Sequence, residues 1–93
     1  SITEFQWDQG NSNKNLHKHQ ISDTECEEVF FDPNKKQFKD RVHSAQEPRF
    51  ILIGQTFTRK LLFVAYTIRQ NQIRIISARP LNKKESFLYE KTN

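Results

Sequence analysis

Ile73-Arg74-Ile75-Ile76-Ser77-Ala78-Arg79 is the most strand-prone run of the 93-residue chain, with branched side chains at three of its first four positions. It also carries two guanidinium groups. A buried strand keeps arginines where they line a site or sit at the ends of a sheet. Side chains alternate along a strand, so Arg74 would share one face with Ile76 and Ala78, and Arg79 the other with Ile75 and Ser77. A bulge near Ser77-Ala78 would bring both to one face. The run itself leaves that choice open.

Working outward, Leu61 to Ile68 and Gln72 to Arg79 read as a hairpin closed by Arg69-Gln70-Asn71-Gln72, where Asn71 tolerates a left-handed backbone. Upstream, Arg49 to Phe57 is a strand with Phe50-Ile51-Leu52-Ile53 apolar on both faces, and Thr58-Arg59-Lys60 turns the chain. Lys35 to Lys39 is short and highly charged, which suits a sheet edge. Asp40 to Pro48 is a polar loop. Pro80 ends the last strand, and the capping box Asn82-Lys83-Lys84-Glu85 opens a helix through Tyr89, with Phe87 and Leu88 expected on its buried face.

Ahead of the sheet, Ser22-Asp23-Thr24-Glu25 is another capping box, flanked by Ile21 and Cys26 at the staple positions. This helix runs through Val29 and Phe30 and stops near Asp32-Pro33, because proline disfavours helix in the residue before it. Ile2 to Gln6 reads as a short edge strand, and Asp8 as the N-cap of a polar helical stretch from Gln9 to His19. The expected architecture is α+β in a single domain spanning 1–93: a short N-terminal strand, two helices, an antiparallel sheet of about four strands and a closing helix.

The net charge of +4 conceals an asymmetry: residues 1–48 hold 6 Lys/Arg against 9 Asp/Glu, whereas residues 49–93 hold 9 against 2. A basic sheet beside an acidic helical segment points to an anionic ligand on the sheet, the alternative being a merely solvated basic surface. A single cysteine, Cys26, excludes an internal disulfide and sits where a small buried hydrophobe belongs. No apolar run approaches the ~20 residues of a membrane span, and the cytoplasm is the expected compartment. His17 and His19 fit no zinc spacing. Two glycines, Gly10 and Gly54, make no phosphate loop, and no nucleophile elbow is present.

What remains is a set of cations, Arg49, Arg59, Arg69, Arg74 and Arg79, in or beside the sheet. Guanidinium forks bind phosphate bidentately and stay charged at any working pH. Such a sheet can hold RNA passively. It can also stabilise the extra negative charge of a pentavalent phosphorane, given a base for the ribose 2′-hydroxyl and an acid for the leaving 5′-oxygen. His19, Lys18, His43, Glu47 and Tyr89 are the titratable candidates.

The order of motifs then resembles a known family. Phe5-x-Trp7-Asp8 is followed by Asn15-x-x-Lys18-His19, by Val29-Phe30-x-Asp32-Pro33, and by His43-Ser44-x-x-Glu47-x-Arg49-Phe50 with Gly54. Thr67-x-Arg69, Arg74-Ile75-Ile76-Ser77-Ala78-Arg79, Glu85 and Tyr89 complete the pattern. The chain looks like the BrnT toxins of type II toxin–antitoxin pairs. The resemblance implies a RelE-like fold and a metal-independent endoribonuclease, without cofactor, that halts translation by cutting RNA. It implies a BrnA-type ribbon-helix-helix antitoxin as partner, with DNA reached only through that antitoxin.

The residues that match the family's site are Lys18, His19, His43, Glu47, Arg49, Arg74 and Arg79, with Tyr89 in the last helix. Arg74 and Arg79 are expected to converge on one pocket with Glu47 or His43 as base and His19 or Lys18 as acid or a further phosphate contact. Arg49, Arg59, Arg69 and Tyr89 are expected to grip RNA. The chain departs from the family's pattern at Asn11, where a lysine is usual, and at Thr58-Arg59, where a glycine is usual. Two other readings use the same basic sheet: a non-catalytic RNA-binding module, and a surface that binds only the antitoxin.

Overall fold

The computed structural model describes residues 4–43 and 46–91. Strands β1 (Lys36–Asp40), β2 (Arg49–Gln55), β3 (Leu61–Arg69) and β4 (Gln72–Pro80) form one antiparallel sheet in the order β1-β2-β3-β4. Helices α1 (Lys14–His19) and α2 (Asp23–Glu28) precede it, with a 3-10 turn at Val29–Phe31, and α3 (Lys83–Glu90) follows. The fold class is α+β, as the alternation and capping patterns predict. The β3–β4 turn has Gln70 at φ 52° and Asn71 at φ 62°. Two consecutive left-handed residues match the twist of the flanking strands.

One irregularity decides the faces of β4. Ala65 pairs with Ser77 and Tyr66 with Ile75, so Ile76 is an extra residue on β4. Beyond this bulge the alternation resumes with its parity reversed. Tyr66/Ile75 and Val64/Ala78 therefore face one way, while Thr67/Arg74, Ala65/Ser77 and Phe63/Arg79 face the other. Arg74 and Arg79 share a face.

The first face carries the main core. Leu52, Val64, Tyr66, Ile73 and Ile75 pack with Ile21, Cys26 and Val29 from the α2 layer, and Phe5, Trp7, Phe30 and Phe50 close around them. The capping box at α2 forms as its sequence predicts: Glu25 N–H donates to Ser22 Oγ at 3.1 Å and Ser22 N–H to Glu25 Oε1 at 3.0 Å. Gly54 lets the 3-10 turn approach β2, since a Cβ there would lie 3.0 Å from the Val29 carbonyl oxygen.

The second face is covered in part. Ile51, Ile53 and Ala65 are buried there, with Phe63, Ile76, Leu81 and Tyr89 packed around them. The orientation of α3 differs from expectation, because Phe87 is 75% and Leu88 41% exposed. Glu85 is tied to Arg79 and Tyr89 to Asp32. Residues four apart lie on one helix stripe, so these two ties turn Phe87 and Leu88 outward.

The N-terminal elements also depart from the sequence reading. The helix expected from Gln9 begins only at Lys14, and Asp8 does not cap it. Asp8 instead closes a turn, its Oδ1 accepting from Gly10 N–H and its carbonyl from Asn11 and Ser12. Asn13, at φ 58°, gives its N–H to the Asp23 carboxylate of α2. The expected N-terminal strand amounts to one parallel bridge, Phe5 to Ile73, alongside β4; Ile2 and Thr3 lie outside the described residues. β2 ends at Gln55, short of Phe57, where Thr56 accepts and donates across a turn to Lys60. No helix among the described residues is long and apolar enough to cross a membrane.

Candidate active site

The face that Arg74 and Arg79 share has two ends. At one end, β1 places Asp40 opposite Arg49, and β3 places Thr67 opposite Arg74. The Phe50–Tyr66 pair brings Arg49 alongside Thr67, whose hydroxyl donates to the Pro48 carbonyl at 2.6 Å. Asp40, Arg49, Thr67 and Arg74 thus form a polar row across four strands. Arg69 and the described loop residues, 41–43 and 46–48, border the same row. Phe38, Ile51 and Ala65 form the next, apolar row, and Arg79 stands beyond it opposite Phe63.

The loop brings His43, Glu47 and Arg49 around one cavity of about 370 Å³, with Val42 and Gln46. His43 Nδ1 is 3.0 Å from Asp40 Oδ2, and the imidazole stays largely exposed. Glu47 accepts from Arg69 Nε at 2.7 Å and Nη2 at 2.9 Å. Those bonds from Arg69, aided by the nearby charges of Arg49 and Arg74, hold the Glu47 carboxyl below its usual range despite some desolvation. A general base works best with a pKa near the operating pH. Glu47 is therefore better suited to orienting Arg69 than to taking a proton, while the His43 imidazole lies beside it in the same cavity, hydrogen-bonded to Asp40.

Arg74 is held end-on by Asp8, with Nη1 to Oδ2 at 2.8 Å and Nη2 to Oδ1 at 3.0 Å, and Nη1 also reaches Gln6 Oε1 at 3.2 Å. Arg79 lies 3.9 Å above the Phe63 ring centroid and donates to both Glu85 oxygens, at 2.8 and 2.7 Å. Their strand positions are four β3 residues apart, about 13 Å at the usual rise. The expectation that both converge on a single pocket is thus corrected: they share a face, but separate carboxylates hold them at separate stations.

The other expected residues lie toward the Arg79 end. Arg59 sits at φ 71° in the exposed β2–β3 turn. Lys18 and His19 lie at the end of α1, where the Gln20 carbonyl accepts from Lys60. Among the described residues, no hydrogen bond or ion pair joins Lys18 or His19 to the His43 cavity. The Tyr89 hydroxyl donates to Asp32 at 2.6 Å, fastening α3 to the sheet. Ser44 lies outside the described residues. No three His, Cys, Asp or Glu side chains among the described residues come together to hold a metal ion.

The sequence reading gives Asp8 as a helix cap, Glu85 as a capping-box residue and Asn11 as a departure from the family's pattern, and it assigns no role to Asp40. The structure makes Asp8 and Glu85 partners of Arg74 and Arg79, Asp40 the partner of His43, and Asn11 a tie to β4. The signal for Asp8 was its place beside Trp7, whose indole N–H donates to Glu27 at 2.6 Å and so pins that segment to α2.

Compared with protein families, residues 7–85 match the model of the ribonuclease toxin BrnT of type II toxin–antitoxin systems. The chain belongs to the BrnT family. The match takes in every expected site residue except Tyr89, and it carries with it a ribonuclease activity, an RNA target and an antitoxin partner. A comparison with curated proteins finds no match.

Proposed function

We propose that this BrnT family member is a metal-independent endoribonuclease that binds RNA across the open face of its sheet and so blocks translation. One observation carries the reading: the Ile76 bulge turns Arg74 onto the face where Arg49, Arg69, Glu47 and His43 already meet. His43 takes the proton from a ribose 2′-hydroxyl, and the 2′-oxygen attacks the adjacent phosphorus in line. The bond to the 5′-oxygen breaks, leaving a 2′,3′-cyclic phosphate, and the departing oxygen takes a proton from solvent at this open site. Arg49 and Arg74 stabilise the charge that builds on the phosphoryl oxygens. Arg79 serves a second phosphate of the same strand, and Lys18 and His19 at the end of α1 and Arg59 in the β2–β3 turn are further phosphate contacts.

The family, the layout of sheet and helices, and the basic face also support a RelE-like toxin domain working in the cytoplasm. In this reading a ribbon-helix-helix antitoxin of the BrnA type covers it and supplies the contact to DNA. The experiment is incubation of purified protein with end-labelled RNA in EDTA. Fragments with cyclic-phosphate ends, lost in Arg74→Ala and in His43→Ala, are the expected result. Intact RNA retarded on a gel would replace the proposal with passive RNA binding, and neither effect would leave antitoxin binding alone.

A further inference from the structure

The guanidinium of Arg74 sits against the segment Gln6 to Asn11, a cradle where Gln6 and Asp8 accept from it and Gly10 leaves it room. Its guanidinium carries five N–H donors. Asp8 and Gln6 take both donors of Nη1 and one of Nη2. The second bidentate edge, Nε–H with the other Nη2–H, makes no hydrogen bond among the described residues. That edge has the fork geometry that fits a phosphate.

The cradle is itself fixed. Asn11 is 3% exposed, and its amide spans three backbone groups. Its Nδ2 donates to the Gln6 carbonyl at 2.9 Å and to the Ile75 carbonyl at 3.0 Å, while its Oδ1 accepts from Asp8 N–H at 2.9 Å. One buried side chain therefore ties Asp8 to β4 at the residue next to the Ile76 bulge. Gly10 supplies the clearance, since a Cβ there would lie 2.9 Å from Arg74 Nη2 and 3.1 Å from Asp8 Oδ1.

We infer that Asp8 and Asn11 are positioning residues, which clamp Arg74 by its end-on fork so that its side edge is presented to the scissile phosphate. This rests on the ribonuclease reading above. The side chain at position 11 contacts no phosphate in this scheme; it sets the register between the segment carrying Asp8 and the strand carrying Arg74. A lysine at position 74 could not hold a carboxylate and a phosphate in two forks at once.

The test is a set of rates and melting curves on the purified full chain with one RNA oligonucleotide. Arg74→Ala and Arg74→Lys are both expected to lose about a hundredfold in turnover. Asp8→Asn and Asn11→Ala are expected to lose about tenfold or more, mainly in kcat, because misplacement of a catalytic group is felt in the transition state. Combined with Arg74→Ala, neither should cost anything further. Gly10→Ala keeps every polar group and crowds the guanidinium, so it should reproduce the Asp8→Asn defect without depending on whether Asp8→Asn folds.

Additive losses that track the melting temperature would assign Asp8 and Asn11 to stability alone and overturn the inference. Wild-type rates in Asp8→Asn and Gly10→Ala, with Arg74→Ala inactive, would overturn it while leaving the ribonuclease reading intact. Full activity in Arg74→Ala would overturn the inference and the role given to Arg74 while the chain remained a ribonuclease, and no cleavage by the wild-type chain would remove both readings.

Discussion

Asp32 is a carboxylate only 8% exposed, and it is tolerated there because it accepts from Asn34 N–H, Gln55 N–H and the Tyr89 hydroxyl. Burial, then the bond to Asp32 and its charge, push the Tyr89 hydroxyl up to about 12. A phenol with a raised pKa keeps its proton in the folded chain after the unfolded chain has lost it. Its stabilisation is therefore complete below about pH 10 and declines as pH rises toward the folded value. Tyr89→Phe should cost about 1–2 kcal/mol in urea unfolding at pH 7, and should flatten the alkaline loss of stability. An unchanged urea midpoint would mean that α3 is held by its other ties.

At the scale of elements, β4 accommodates an extra residue. Ile73 and Ile75 reach the main core before Ile76, and Ala78 reaches it after. Because Ile76 is the unpaired residue, its removal brings Ile75 and Ser77 together opposite Tyr66 and Ala65, with every other pair and both faces kept. Deletion of Ile76 should therefore leave a regular strand with Arg74 and Arg79 still on one face. The expected outcome is cooperative unfolding at a lower urea midpoint, because Ile76 packs against the Ile51, Ile53 and Ala65 cluster. A deletion variant that lost cooperative unfolding would show that the fold requires the bulge itself.

The molecule as a whole is stitched by ion pairs that join its acidic first half to its basic second half. Asp8 meets Arg74, Glu25 meets Lys60, and Glu47 meets Arg69, while Glu85 meets Arg79 within the second half. Hydrogen bonds from the arginines hold Asp8, Glu47 and Glu85 below their ordinary values. Desolvation pushes Glu25 up, but its bonds to Lys60 and Ser22 leave it lowered. A carboxyl lowered in the fold contributes stability that is fully present above its unfolded pKa, roughly 4. That contribution is lost as pH falls through the lower folded value. The urea midpoint should thus be level from pH 5 to 8 and fall below about pH 4, and Glu85→Gln should reduce the fall. A midpoint insensitive to acid would remove these pairs from the stability of the fold.

Much of this architecture was legible in local pattern. Capping boxes at Ser22 and Asn82, the left-handed Asn71 and the alternating strands depend on residues a few positions apart. The N-terminal helix is shorter than its pattern predicts because Gly10 and the asparagines around it favour turns, and Asp23, from another helix, accepts the Asn13 N–H. Hydrophobicity alone assigns Phe87 and Leu88 to the interior, since it cannot register the pull of two polar ties on the same helix.

The sequence by itself determined the four strands, the two capped helices, the charge asymmetry and the resemblance that the family match bears out. Only the tertiary structure decided which way the arginines face and what holds them. Alternation along a strand is local, but one inserted residue reverses it, and composition does not say where. The carboxylate that grips Arg74 lies 66 residues away in the chain, so the pairing exists only once the N-terminal segment docks on β4.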